Sequence, residues 1–173
     1  TGMFKRDNWP KDEPETRAIW TNAEDSVTGA DKKEYKTAQA TIWRWRLAVQ
    51  NDFAARMDWC TKPYNECNHP PVAAIATADS FAVKSGELFH LNADGSYDPD
   101  GDSMSFLWFQ YKEAGDYQGI VSFRPYAANL YNLPVTAPVV ETKQTIHFIL
   151  QVADKGTPPL IRYKRVKVTV LPK

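Results

Sequence analysis

The hydrophobic pattern changes character twice along the chain. Residues 1 to about 39 are polar and irregular, with Pro10 and Pro14 and single aromatics at Phe4, Trp9, Trp20 and Tyr35. Such a stretch does not predict a self-sufficient fold; isolated aromatics in a polar segment anchor it onto a neighbouring surface. From Thr41 the spacing becomes helical: Ile42, Trp45, Val49, Phe53 and Met57 recur every three or four residues and predict one face of a helix ending near Trp59. Trp43, Leu47 and Ala54 add a second apolar stripe, so the helix is expected to be buried on more than one side, by more protein than residues 1–70 supply. Asn68-His69-Pro70-Pro71 then forms a stiff, extended linker, because tandem prolines exclude helix. It marks a boundary between a segment 1–70, irregular and helical, and a domain 71–173.

Beyond the linker, short β-branched and aromatic runs alternate with turn signals. Strands are predicted at Val72–Ala78, Glu87–Ala93, Met104–Tyr111, Ile120–Arg124, Val135–Glu141, Thr145–Asp154 and Arg162–Leu171. Two of them show the two-residue period most clearly. Ile146, Phe148, Leu150 and Val152 alternate with His147 and Gln151, and Val166, Val168 and Val170 alternate with Arg165, Lys167 and Thr169. Asp154-Lys155-Gly156-Thr157-Pro158-Pro159 supplies the turn between them. The fold class expected is mainly β: an immunoglobulin-like antiparallel β-sandwich preceded by an irregular and helical segment. The strand around Trp108 departs from simple alternation. With Phe106 and Trp108 inward, Leu107, Phe109 and Tyr111 make its outer face apolar too, and such a strand is expected to be covered on both sides, by the N-terminal segment, a partner domain or a ligand.

Composition narrows the function classes. Of 173 residues, 43% are apolar and 24% charged, ordinary for a folded soluble protein. Aromatics reach 13%, and they either fill a core or present flat faces to sugars and protein partners. Twenty-one basic residues balance twenty-one acidic ones, so no net field draws in nucleic acid or an anionic membrane. No stretch approaches the roughly 20 apolar residues of a membrane helix, and the Thr-Gly-Met start lacks a signal pattern, so any export signal is expected to lie upstream or to have been removed.

The candidate chemistry is sparse. Asp98, Asp100 and Asp102 alternate along a Gly-containing loop, and Asp154 sits in a turn able to approach the same end of the sandwich. Two readings are open: carboxylates converging on Ca²⁺, or an Asp-rich turn whose side chains cap backbone amides. Clustered turn aspartates are poor acid–base partners, which need separated environments across a cleft. Cys60 and Cys67 flank a short turn containing Pro63, and they are either a disulfide or two inert thiols. His69, His90 and His147 fall in a linker and on two separate strands, and no serine or cysteine has a nucleophile-elbow setting. Trp9 and Trp20 are candidate sugar-stacking rings or interface anchors, whereas helical spacing makes Trp43, Trp45 and Trp59 anchors. The chain is therefore read as non-catalytic, with no cofactor beyond the calcium alternative.

Two sets of residues carry a family resemblance. The runs Thr41-Ile42-Trp43-Arg44-Trp45-Arg46, Gln50 through Cys60, and Asn68-His69-Pro70-Pro71 form the first. Asp98-Pro99-Asp100-Gly101-Asp102, Trp108 through Gly115, Thr145-Ile146-His147, and Asp154 through Leu160 form the second. Together they resemble the bacterial cellulose-binding protein family with a nucleoside-hydrolase-like N-terminal domain and an immunoglobulin-like C-terminal domain, over nearly all of the chain from Trp20. The acidic run is also similar to calcium-binding turns of polycystic-kidney-disease-type and cadherin-like domains. The resemblance implies that the chain is a C-terminal portion of a secreted protein, extracellular or periplasmic, whose hydrolase-like domain precedes it. It implies an accessory module that binds cellulose or another plant cell-wall polysaccharide, or packs on that domain. Two alternatives stay open: a parent that hydrolyses a glycosidic or N-ribosidic bond with residues outside this chain, and a purely structural domain.

Overall fold

The computed structural model of the chain describes residues 25–29, 31–37, 39–43, 45–122 and 131–173. The chain divides into two compact units, Thr1–Arg46 and Leu47–Lys173. In the first, β1 (Asp25–Thr28) and β2 (Glu34–Thr37) pair as an antiparallel hairpin with Val27 opposite Tyr35. Lys32, at φ 63°, turns the loop, and the Gly29 amide donates to the Lys33 carbonyl at 2.8 Å. Thr37 Oγ1 then accepts from the amides of Gln39 and Ala40, a cap that starts the single turn α1 (Ala40–Trp43). The edge of Trp43 meets Tyr35 at a centroid distance of 6.0 Å. This hairpin stands where the sequence predicts only irregular chain, because its strands are polar and held by backbone pairing rather than by an apolar face.

The second unit opens with α2 (Arg46–Thr61), so the predicted helix is two pieces, broken after Trp43. Ala55 is the one buried residue on α2, while Leu47, Val49, Phe53 and Met57 are exposed. The many-sided burial expected of the helix is thus not provided by residues 47–173. What α2 does contact is a turn of the sandwich: Asn51 Nδ2 donates to the Pro159 carbonyl at 2.8 Å, and Asp52 pairs with Arg162 at 2.9 Å.

Six strands follow: β3 (Ser80–Lys84), β4 (Leu88–Asn92), β5 (Ser105–Gln110), β6 (Asn132–Thr136), β7 (Gln144–Ala153) and β8 (Ile161–Leu171). One sheet has the order β3-β8-β7-β5 and the other pairs β4 with β6. All contacts are antiparallel except β3 with β8, the first and last strands of the domain, which run parallel. The domain between them serves as the long crossover that parallel neighbours require. Alternation in β7 and β8 is realised as predicted: Ile146, Phe148, Leu150, Val152, Val166, Val168 and Val170 are all buried. From the opposite sheet Phe89, Leu91, Leu133 and Val135 close the core with Trp108, and Phe89 meets Phe148 at 6.0 Å.

Three strands differ from expectation. Val72–Ala78 forms only a bridge from Val72 to Tyr97, and the first true strand is β3, whose Phe81 and Val83 turn inward. Val135–Glu141 begins earlier, as β6, where Pro134 is tolerated because β6 pairs on one side. Ile120–Ser122 is not strand, though Val121 is buried and its amide donates to Gln110 Oε1 at 2.9 Å; Phe123 and Arg124 lie outside the described residues.

The core makes a graded stability prediction. Phe148→Ala removes a fully buried ring and is expected to lower unfolding free energy by about 3–5 kcal/mol, against under about 0.5 kcal/mol for Val139→Ala on the exposed surface. Urea titration of both variants checks the contrast, and equal costs would contradict this placement of the core.

Candidate functional site

The acidic loop is organised by its own backbone. Asp98 Oδ1 accepts from the amides of Asp100 at 2.9 Å and Asp102 at 3.0 Å, and Gly101 takes the left-handed φ of 80° that a side chain resists. Asp100 is held from the linker, accepting from the His69 amide and lying 2.9 Å from His69 Nδ1. His69 itself stacks with two rings, Tyr64 at a centroid distance of 3.7 Å and Trp59 at 5.7 Å. Trp59 Nε1 donates to the Asn68 carbonyl at 2.9 Å, so Trp59 anchors the linker to the end of α2.

Asp154 is buried in the β7–β8 turn. Its Oδ1 accepts from the Leu160 amide at 2.8 Å and the Gly156 amide at 3.0 Å, and Asn68 Nδ2 donates to the same carboxylate at 3.3 Å. Burial pushes its pKa up; these donors oppose that and the nearby charge of Asp98 adds to it. Asn68 also donates to the Pro158 carbonyl at 2.7 Å, and its side chain occupies the space a Cβ on Gly156 would need. The linker therefore joins the acidic loop to the β7–β8 turn through two consecutive residues, Asn68 and His69. Sequence pattern marked both as linker residues but not as this joint, because their partners lie far along the chain.

These bonds show what the candidate calcium ligands Asp98, Asp100, Asp102 and Asp154 do in the fold. The carboxylates of Asp98, Asp100 and Asp154 serve backbone amides, His69 and Asn68, Asp102 takes part through its amide, and among the described residues no group of three or more His, Cys, Asp or Glu side chains is placed to hold a metal ion. Asp98 Oδ2 and Asn68 Oδ1 are buried without a hydrogen-bond partner among those residues. The amide-capping turn is what this sequence builds. The Cys60–Cys67 bridge is likewise not formed: both are free thiols, Cys60 exposed on the last turn of α2 and Cys67 with its Sγ 3.9 Å from the Lys62 carbonyl. Trp9 and Trp20 lie outside the described residues.

The second notable surface is the outward face of the large sheet. Register places Leu107, Gln151 and Tyr163 in one row across β5, β7 and β8, and Phe109, Ile149 and Arg165 in the next. Leu107, Tyr163 and Arg165 are exposed and the other three half-buried. One row further, His147 is covered; burial lowers its pKa and the charges of Arg165 and Lys167 lower it further. The apolar outer face expected from Leu107, Phe109 and Tyr111 thus continues across three strands, a breadth visible only once β7 and β8 lie beside β5.

Comparison with known proteins adds the following. Residues 88–170 match the family model described as the C-terminal domain of cellulose-binding protein Sde0182. A solved structure, of a nucleoside hydrolase-related hypothetical protein from Saccharophagus degradans associated with carbohydrate metabolism, is similar at 32% identity with a TM-score of 0.68. The similarity covers 81% of this chain and 35% of that one, so the chain spans about a third of its neighbour's length. No curated protein matches it. Both matches bear out the resemblance drawn from the sequence.

Asp154 gives the site a pH signature. With its pKa raised in the fold, the native state holds the proton more tightly than the unfolded chain, so stability is favoured at low pH and declines as pH rises above the ordinary value of 3.8. Asp154→Asn lacks this titration, and its stability relative to wild type is expected to climb from pH 3 to pH 7 in urea unfolding; a flat or falling difference would contradict the assignment. The thiols give another check: a thiol-titrating reagent should modify Cys60 in the folded protein before Cys67, whose side chain is partly covered.

Proposed function

From the match of residues 88–170 to the C-terminal domain of a cellulose-binding protein, we propose that this chain is a non-catalytic accessory module of a secreted, polysaccharide-associated bacterial protein. It packs on a hydrolase-like domain of the same protein and binds plant cell-wall glycan. The observation that carries the packing half is the open face of α2. Val49, Phe53 and Met57 follow one another at four-residue intervals and are 63%, 63% and 49% exposed, and Leu47, two residues before Val49, is 65% exposed. Large apolar side chains in a row on a helix are the chemistry of a covered surface, and a neighbour more than twice as long supports a covering domain.

The hydrolase-related description of that neighbour favours a second reading, in which the longer protein cleaves a glycosidic or N-ribosidic bond and this module completes or steadies its active site. Assaying the longer protein with and without residues 47–173 separates the two, since an accessory role leaves turnover on soluble substrate unchanged.

Pull-down on insoluble cellulose tests the glycan half: the chain should leave the supernatant, and retention in solution on every glucan tried would refute it. For the packing half, Phe53→Asp in the longer protein is expected to lower its melting temperature by several degrees, while the same change in this chain alone shifts it by under about 2 °C. An equal shift in both would show that Phe53 serves the module's own fold.

A further inference from the structure

We propose that the outward face of β5, β7 and β8, with Leu107, Gln151 and Tyr163 in one cross-strand row and Phe109, Ile149 and Arg165 in the next, receives a β-linked glucan chain. This inference rests on the reading of the module as a glycan binder and gives that binding a location.

Among the described residues, the apolar row of α2 and the outward sheet face differ in chemistry. On α2 the row Val49, Phe53, Met57 is purely apolar and suits another protein's core-like face. The sheet face instead alternates hydrocarbon with hydrogen-bonding groups. In the first row the Gln151 amide lies between the Leu107 side chain and the Tyr163 ring, and in the second Arg165 follows Ile149 and Phe109. A β-linked glucan has the matching chemistry. Its pyranose faces are C–H surfaces that stack on rings and branched aliphatics, and its edges carry hydroxyls that donate to and accept from an amide and donate to no guanidinium but accept from it. Binding sites for small polar ligands have this composition, mostly apolar lining with a few placed polar groups.

Dimensions agree. Neighbouring strands are about 4.8 Å apart, so Leu107 and Tyr163 stand about 10 Å from each other across Gln151, and the two rows are about 7 Å apart along the strands. That is a flat patch spanning about two sugar rings rather than a closed pocket, as an extended polymer requires. Leu107 and Tyr163, the outer members of the first row, are 37% and 36% exposed, so they offer contact area at both ends of the amide. The patch is also built on the most regular part of the fold, the ten-pair β7–β8 ladder, so its side chains are positioned by a rigid sheet rather than by loops.

The test uses the whole chain with cellohexaose and insoluble cellulose as probes. Tyr163→Ala is expected to weaken cellohexaose binding roughly tenfold and Gln151→Ala severalfold, with Tyr163→Phe close to wild type. Should an alanine variant fail to fold, amide chemical shifts of the wild-type chain on adding cellohexaose locate the ligand independently; they should move at residues 107–111, 149–151 and 163–165. Wild-type binding with unchanged affinity in the variants, or shifts elsewhere, overturns the location while leaving glycan binding intact. If the wild-type chain binds neither probe, both the location and the glycan reading fail. If the variants keep glucan affinity but loosen association with the hydrolase-like domain, the face is a protein interface and the proposal is wrong.

Discussion

The pairing of β7 with β8 is the constraint on which the rest of the molecule depends. Ten residue pairs run without interruption from Gln144 opposite Val170 to Ala153 opposite Ile161. Because side chains alternate strictly across a strand, this one register decides two surfaces at once. It sends Ile146, Phe148, Leu150 and Val152 with Val166, Val168 and Val170 into the core, and it sends Ile149 and Gln151 with Tyr163 and Arg165 to the outside. A slip by one residue would exchange them, burying an arginine and exposing a phenylalanine.

The ends of that ladder organise everything else. Where β7 gives way to β8, Asp154 gathers the Gly156 and Leu160 amides and so closes the turn on itself. Asn68 reaches into the same turn, and the next residue, His69, reaches the acidic loop. α2 is tied to this end by Asn51 and Asp52, and Trp59 to the linker. Burying the Asp154 carboxylate costs free energy, offset by three donors; the gain is a fixed joint between helix, linker and sandwich. At the other edge β8 accepts β3 in parallel, so the last strand is flanked on both sides.

The apolar row of α2 and the outward sheet face, both outside the core, have different characters. A helix row without polar members is suited to permanent cover by a neighbouring domain. A sheet face in which a leucine and a tyrosine ring flank an amide is suited to a ligand that is itself half hydrocarbon and half hydroxyl. On the proposed reading, one small domain holds a neighbour through the first and presents a binding face through the second, without the two competing for the same residues.

The sequence alone determined the sandwich, the positions of β4, β5, β7 and β8, and the inward rows of the last two, because a two-residue period has a direct meaning for a half-buried strand. It also determined the double-sided apolar character of the Trp108 strand, and the family resemblance of the chain. The amide-capping turn was one of two readings open in the sequence; only the tertiary structure decided that Asp100 also meets His69 and Asp154 also meets Asn68, since those partners lie far along the chain and leave no mark in spacing. It alone decided that β3 replaces the strand expected at Val72–Ala78, because a parallel pairing between the first and last strands has no local signature. The hairpin at Asp25–Thr37 was invisible for a related reason: backbone pairing without an apolar face writes almost nothing into the order of residues. The breadth of the outward face belongs to the same class, for Leu107, Gln151 and Tyr163 become neighbours only when three strands lie side by side.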